Sequence, residues 1–296
     1  MGKVLITGGS GFLMRNLREL YPHHDYYFPT SSQVNWETGH GIESLPNDFD
    51  VVIHSAAVMG GFEFIVNHPD RMLIENIRMT ANFFEYILKA KPRKVITMGS
   101  GCTYPGYTSE LLSENLLGCG RMHQSVELYG LNKMMLFAGS EHLLDNWDHF
   151  VLANMYGRYD HTDVKRSHVI AALLVKFIRA QREGKDVQLL GTGLAQRDIM
   201  YVGDVCQAIN YSIETDKGVC QAMNISTGEG TSIKTLAETI AKCLDFKGNI
   251  LWGDESQDGA LYKVMNNSLL MQNFDIGITP LEDGLMQTIP WFKENC

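Results

Sequence analysis

The segment KVLITGGSGFLMRNLREL at residues 3–20 runs from a short apolar stretch through glycines into apolar positions three and four apart. That pattern predicts a buried strand, a glycine turn and an amphipathic helix. DYYF at 25–28 and DVVIHSAA at 50–57 read as further strands, and a long helical pattern follows from about Arg71 to Ala90. RKVITMGS, a helix from Leu128 to about Leu144, and HFVLANMYG continue the alternation. Strands alternating with helices of a dozen or more residues require right-handed crossovers. The fold class predicted is therefore α/β, with a Rossmann-type doubly wound parallel sheet.

After Tyr156 the pattern changes. A polar loop (GRYDHTDVKRSH) leads into a helix, VIAALLVKFIRAQREG, then into short strand-like pieces around VQLL and AMNIS. TSIKTLAETIAKCLDF opens on a Thr or Ser cap and continues as an amphipathic helix. This predicts a smaller α/β substrate domain interleaved with the first, because DIMYVGDVCQAINYSI reads as a return to the main sheet. The division expected is a dinucleotide-binding part at 1–157 plus about 194–223, and a substrate-binding part at 158–193 and 224–296.

The bulk properties restrict the function. A length of 296 residues suits one large or two modest domains, and 45% apolar with 20% charged residues is ordinary for a folded protein. The formal charge of −9 argues against nucleic-acid binding, and the short basic cluster KPRK at 91–94 reads as a solvated helix end or turn. No apolar run reaches the ~20 residues that span a bilayer. The stretch MGKVLITGG is too short for a secretory leader, and Ile6 does not suit myristoylation. Cysteines 102, 119, 206, 220, 243 and 296 form no CxxC pair or zinc spacing, HEXXH is absent, and His23-His24 lies in a polar loop. Reduced thiols, a cytoplasmic location and no metal are expected.

Candidate chemistry begins at the glycine turn. Gly8, Gly9, Ser10, Gly11 and Phe12 stand between strand and helix, where glycine lets the backbone approach a pyrophosphate at the helix N-terminus. Met14 replaces the third glycine of the usual fingerprint, which removes the close helix-to-strand approach. Ala56 and Ala57, at the end of the third strand, complete the candidate dinucleotide site. At the end of the second strand the sequence FPTSSQ offers neither the acid that holds a ribose hydroxyl nor an arginine for a 2′-phosphate. Ser31, Ser32 or Arg15 are left to meet a phosphate, so NADP(H) is favoured and NAD(H) stays open.

Tyr129 and Lys133 in LYGLNK are four residues apart and so share a helix face. A lysine ammonium there is expected to lower the phenol pKa from about 10 toward working pH, letting the tyrosine exchange protons with an alcohol or ketone. Ser100 would hydrogen-bond the same oxygen, and Cys102 adds an acid/base group that plain alcohol dehydrogenation does not need.

With TGGSGF, SAAVMGG, GSGCTYP and YGLNK in order, the chain resembles the extended short-chain dehydrogenase/reductases. Within them it looks most like the GDP-L-fucose synthases, which are GDP-4-keto-6-deoxy-mannose 3,5-epimerase/4-reductases. NMYG at 154, SHVIAALLVKF around 168, LGTGLAQRDIMYVGDV at 190, NISTGEGTSIKTLAETIAK at 224 and WF at 291 extend the likeness nearly end to end. The resemblance implies that Tyr129 gives a proton to the sugar O4, that Lys133 holds the nicotinamide ribose, and that Ser100 assists at the carbonyl. It implies that Cys102 and His168 form the epimerisation pair, with His168, Asn154 and Met155 also beside the cofactor. Lys176, Arg197 and Asp258 would contact the nucleotide-sugar, GDP-linked by preference, and the chain would form a homodimer through long helices.

The acid/base pair has a physical case of its own. A 4-keto group acidifies the C–H bonds at C3 and C5, and inversion needs one group to take a proton and another to return one on the opposite face. A thiol and an imidazole suit this near neutral pH. Departures from the family pattern bear on the sugar: Leu190 replaces an aromatic residue, Met59 a lysine, Ser31 the arginine for the cofactor phosphate, and Tyr262 a basic residue ahead of Lys263. A heptose or dideoxy sugar is a competing substrate. Other competing readings are a 4-epimerase with tightly held NAD, a 4,6-dehydratase, and a non-catalytic dinucleotide sensor. Cys102 with His168, the absence of an acidic pair after Ser100, and the presence of Tyr129 with Lys133 argue against them in turn.

Overall fold

The computed structural model describes residues 2–60, 64, 67–106, 108–164, 167–255 and 260–296. The first half alternates as expected: β1 (Val4–Thr7), α1 (Phe12–Leu20), β2 (Tyr26–Tyr27), β3 (Val51–His54), α2 (Pro69–Ala90), β4 (Lys94–Met98), α3 (Glu127–Leu143) and β5 (Trp147–Leu152). It continues through β6 (Asn154–Tyr156), α4 (Val169–Glu183), β7 (Val187–Gln188), β8 (Gln196–Arg197), β9 (Ile199–Tyr201), α5 (Val202–Glu214) and β10 (Ala222–Ile225). The last elements are β11 (Thr231–Ser232), α6 (Ile233–Leu244), β12 (Ile250–Leu251), β13 (Tyr262–Lys263), α7 (Ser268–Asn273) and α8 (Leu281–Asn295).

Six strands form one sheet in the order β10-β5-β4-β3-β1-β2, parallel at every pairing. Such strands are covered on both faces, which is why VLIT and VVIH are apolar almost throughout. Side chains still alternate between two cores. Val4, Ile6, Val51 and Ile53 join a cluster with α1, α4, α5, α6 and α8, whereas Leu5, Val52 and Val95 face Phe83, Tyr86 and Trp147. The chain leaves β1 in one direction to form β2 and returns on the other side of β1 as β3. This switch point opens a crevice at the carboxyl ends of β1 and β3, where a ligand binds in such sheets.

Short strands frame the carboxyl end of the sheet. β8 pairs antiparallel with β11 and parallel with β13, β7 pairs with β12, and β6 with β9. Helix ends follow local chemistry: Pro69 opens α2, the Ser232 hydroxyl accepts from Thr235 N (2.9 Å) at the start of α6, and Gly184 in the left-handed region ends α4.

Two expectations change. The strand-like AMNIS piece belongs to the large sheet, because Ala222–Ile225 is buried along its whole length and pairs with β5. The strand therefore runs past the boundary drawn at residue 223. KPRK is not solvated throughout. Lys94 is fully buried at the start of β4, 3.6 Å from Asp148, and donates to Ser212 O (2.8 Å) and Thr215 Oγ1 (2.9 Å). Burial lowers its pKa, and the carboxylate with two oxygen acceptors compensates the buried charge. All six cysteines are free, and no described helix is long and apolar enough to cross a membrane.

Candidate active site

The crevice at the switch point is built from β1 outward. Gly8 takes φ +68°, and a Cβ there would lie 2.8 Å from Ala56 N. Only glycine lets the turn after β1 come this close to the turn after β3. Thr7 ties the two together. Its hydroxyl accepts from Ser55 N (3.2 Å) and Ala56 N (3.0 Å) and so donates to His54 Nδ1 (3.0 Å). Gly11 precedes α1 with no side-chain cap, leaving the N–H groups of the first turn to a ligand. Gly9, Ser10 and Phe12 complete this turn, and Ala57 follows Ala56 half-buried. Met14 fills the core completely. The cradle fits a dinucleotide pyrophosphate.

Ser31 is exposed on the turn after β2, and Ser32 Oγ lies 2.9 Å from Thr30 Oγ1. Arg15 is committed elsewhere, with its guanidinium 4.0 Å above the Tyr159 ring.

Beside this crevice, Ser100, Cys102, Tyr129, Asn154, Met155 and His168 line one cleft with Met59, Asp198, Lys263 and Met265. Four elements converge to make it. Ser100 follows β4 and caps a tight turn by accepting from Cys102 N (3.2 Å). A Cβ at Gly130 would lie 2.6 Å from Cys102 O, so glycine beside Tyr129 lets α3 rest on the Cys102 turn. Asn154, on β6, donates from Nδ2 to Asp198 O (3.1 Å), and His168 stands at the start of α4.

The electrostatics of Tyr129 and Lys133 differ from expectation. The Lys133 ammonium is buried over the tyrosine ring, 5.4 Å from its centroid, and donates to Met98 O (2.7 Å). Burial pushes Lys133 down to about 8, partly offset by Cys102. Burial also pushes the Tyr129 phenol up, and Cys102 adds to the rise. The expected depression is absent because desolvation dominates and the ammonium engages a carbonyl instead of the phenol oxygen. Tyr129 is thus a phenol that keeps its proton. Two further histidines flank the lysine on neighbouring strands. Burial, then the charge of Lys133, pushes His54 and His149 down to about 3, so both are neutral.

His168 has a partner absent from the motif reading. Its Nδ1 lies 3.2 and 3.3 Å from the two oxygens of Asp160, whose residue exposure is only 3%. The hydrogen bond to Asp160 raises the His168 pKa against the opposing effect of burial. Asp198, also unread from sequence, accepts from Thr227 N (2.9 Å), Thr227 Oγ1 (2.8 Å), Gly228 N (3.3 Å) and Met265 N (3.3 Å), closing the cleft floor. The aspartates gave no spacing signal, since their partners come from other loops.

Lys176 and Arg197 fall outside this cleft's lining. Lys176 donates to Gln188 O (3.3 Å), and Arg197 donates to Gln196 O (2.8 Å) and Ala260 O (2.6 Å). Asp258 lies outside the described residues. Elsewhere, His23, His24 and Glu214 bring ligand-type atoms within 4.8 Å of one another, with His24 Nε2 on Asn210 Oδ1 (2.7 Å) and His23 Nε2 on Glu214 Oε1 (3.3 Å).

Comparison with known proteins agrees with this geometry. The chain is 29% identical over 300 residues to GDP-L-colitose synthase from Yersinia pseudotuberculosis, covering 98% of this chain and 97% of that protein. It is 26% identical over 302 residues to GDP-L-fucose synthase from Azorhizobium caulinodans, covering 98% and 96%. Among solved structures, a GDP-L-fucose synthetase from Naegleria fowleri bound to NADP superimposes with a TM-score of 0.89 at 23% identity, covering 99% of this chain and 93% of that one. Residues 4–226 match the description "NAD dependent epimerase/dehydratase family". Since that match spans most of its length, the chain belongs to this family and is an NAD(P)-dependent enzyme of the extended short-chain dehydrogenase/reductase type.

Proposed function

We propose that the protein is an NADPH-dependent 3,5-epimerase/4-reductase of a nucleotide-linked 4-keto-6-deoxy sugar, converting GDP-4-keto-6-deoxy-mannose to GDP-L-fucose. The observation that carries this reading is the meeting of Cys102 and His168 with Tyr129 in one cleft. A reductase alone needs Tyr129, and a second acid/base pair serves C–H chemistry beside the carbonyl.

In this reading Cys102 takes the proton from C3 or C5, and His168 returns one to the opposite face, inverting the centre. Ser100 hydrogen-bonds the C4 oxygen while the enolate carries charge. The Gly8–Gly11 turn and the start of α1 would hold NADPH, which would supply a hydride for C4. Tyr129 then gives its phenolic proton to the new alkoxide. Lys133 would hold the nicotinamide ribose. Lys176, Arg197 and Asp258 would hold the nucleotide diphosphate, and Asn154 with Met155 would line the cofactor.

The GDP sugar is supported by the names of the two relatives, and NADP by the Naegleria complex. Exposed Ile74 and Leu88 on α2, with Leu131, Met135 and Leu143 on α3, support a homodimer. The free cysteines support a reducing, cytoplasmic setting. A different 4-keto sugar on the same machinery is the second reading. It is favoured by Met59 in the cleft and by Leu190, which is 66% exposed.

The test is incubation with GDP-4-keto-6-deoxy-mannose in D2O, with and without NADPH, followed by NMR of the product. Deuterium at C3 and C5 together with NADPH oxidation is the expected result. NADPH oxidation without deuterium would reduce the function to a 4-reductase.

A further inference from the structure

We infer that Asp160 is the positioning residue for His168, holding the imidazole by Nδ1 so that Nε2 is the nitrogen that meets substrate. This rests on the epimerase reading and extends it to the group behind the histidine. The carboxylate contacts Nδ1 with both oxygens, at 3.2 and 3.3 Å, and is itself fixed by His161 N on Oδ1 (2.7 Å). In the neutral ring this partner keeps the proton on Nδ1. In the charged ring it stabilises the imidazolium, the form that can give a proton to a carbon centre. The other titratable groups of the cleft are Cys102, Tyr129, Asp198 and Lys263. On its own loop the histidine has His161, Asp163, Lys165 and Arg166 nearby in sequence. Among the described residues, Asp160 is the one in direct contact with its ring nitrogen.

The backbone is shaped to deliver this carboxylate. Tyr159 adopts φ +73°, a left-handed conformation that is uncommon for a residue with a side chain and is held only where surroundings enforce it. Here the enforcement comes from Arg15 over the ring (4.0 Å), Glu19 Oε2 accepting from the hydroxyl (2.7 Å), and the Trp291 ring at 5.6 Å. Asn16 Nδ2 adds a bond to Arg158 O (2.8 Å). The loop that presents Asp160 is thereby fastened to α1, the helix whose N-terminus forms the dinucleotide cradle.

The test is an NMR titration of the His168 Cε1 proton, assigned by its loss in His168→Gln, in wild type and in Asp160→Asn. A midpoint above 6.5 in wild type, falling by about one pH unit or more in the variant, is expected. An unmoved midpoint overturns the proposal, and so does a wild-type midpoint at or below 6.5, which needs no variant to fold. Catalysis gives a second readout. Asp160→Asn should slow deuterium entry at C3 and C5 about 100-fold, keep NADPH oxidation on a ketone already of the product configuration within about twofold, and be partly rescued by Asp160→Glu. Equal loss of both activities overturns the positioning role. If wild type exchanges no C–H proton, the epimerase reading falls while the titration still decides what Asp160 does.

Discussion

Replacing Lys133 by methionine separates its chemistry from what its burial does to the fold. Lys133 is only 3% exposed, and burial brings its pKa from 10.5 down to about 8. At about 1.4 kcal/mol for each tenfold change, this corresponds to about 3 kcal/mol of destabilisation wherever the lysine is charged both folded and unfolded, which is pH 8 and below. Between pH 8 and 10.5 the unfolded chain binds more protons than the folded one, so wild type gains stability as pH rises through that window. Methionine has similar length and no charge, but it forfeits the 2.7 Å bond to Met98 O, a loss of about 1–2 kcal/mol. Lys133→Met should therefore be more stable than wild type by about 1–2 kcal/mol at pH 7 in urea unfolding. The advantage should shrink above pH 8 and reverse by about pH 9.5. NADPH oxidation with a 4-keto sugar nucleotide should fall by about 10²–10⁴ in the same variant. A variant less stable than wild type at pH 7, or a stability difference that ignores pH, refutes this reasoning.

Gly8→Ala should raise the Kd for NADPH at least about tenfold in a fluorescence titration. The new side chain brings left-handed strain of about 1–2 kcal/mol and meets Ala56 N at 2.8 Å; an unchanged Kd would separate this turn from the cofactor. Tyr129→Phe should lower NADPH oxidation by about 10²–10⁴ while deuterium still enters C3 and C5, and loss of both would move Tyr129 into the epimerisation steps. Cys102→Ser should do the reverse, slowing exchange while sparing reduction of a pre-epimerised ketone, and preserved exchange would remove the thiol from its role. Asp148→Ala strands the Lys94 charge inside the sheet, so its urea unfolding free energy should drop by about 3–5 kcal/mol; a drop below about 1 kcal/mol would show that Ser212 and Thr215 satisfy Lys94 without the carboxylate.

Periodicity and glycine placement carried the main architecture because both are local. The β1 turn, α2, α3 and the Ser232 cap of α6 fall where the residue pattern puts them. What the pattern missed depends on distant partners. Lys94 looked solvated in KPRK, yet its partners are Asp148, Ser212 and Thr215. The AMNIS strand was assigned to the smaller part, and only its pairing with β5 reveals the sheet it completes. The four-residue spacing put Tyr129 and Lys133 together but said nothing about solvent, so the direction of the tyrosine shift came out opposite. Cys102 and His168, far apart in sequence, line the same cleft. Asp160 stayed invisible because a lone aspartate eight residues before a histidine, in a polar loop, has no periodic signature.

The contact between Tyr159 and Trp291 has a practical consequence for anyone handling the protein. No residue of helix α8 lines the cleft, and by ordinary practice it would be the natural place for a fusion, label or crystallisation mutation. Trp291 sits there against the residue whose strained backbone presents Asp160, and Arg182 donates to Lys293 O and to Cys296 O (2.6 Å), securing the end of the same helix. A modification of this helix therefore reaches the loop that carries Asp160, and a tagged preparation with altered turnover should be compared with an untagged one before its kinetics are read as chemistry.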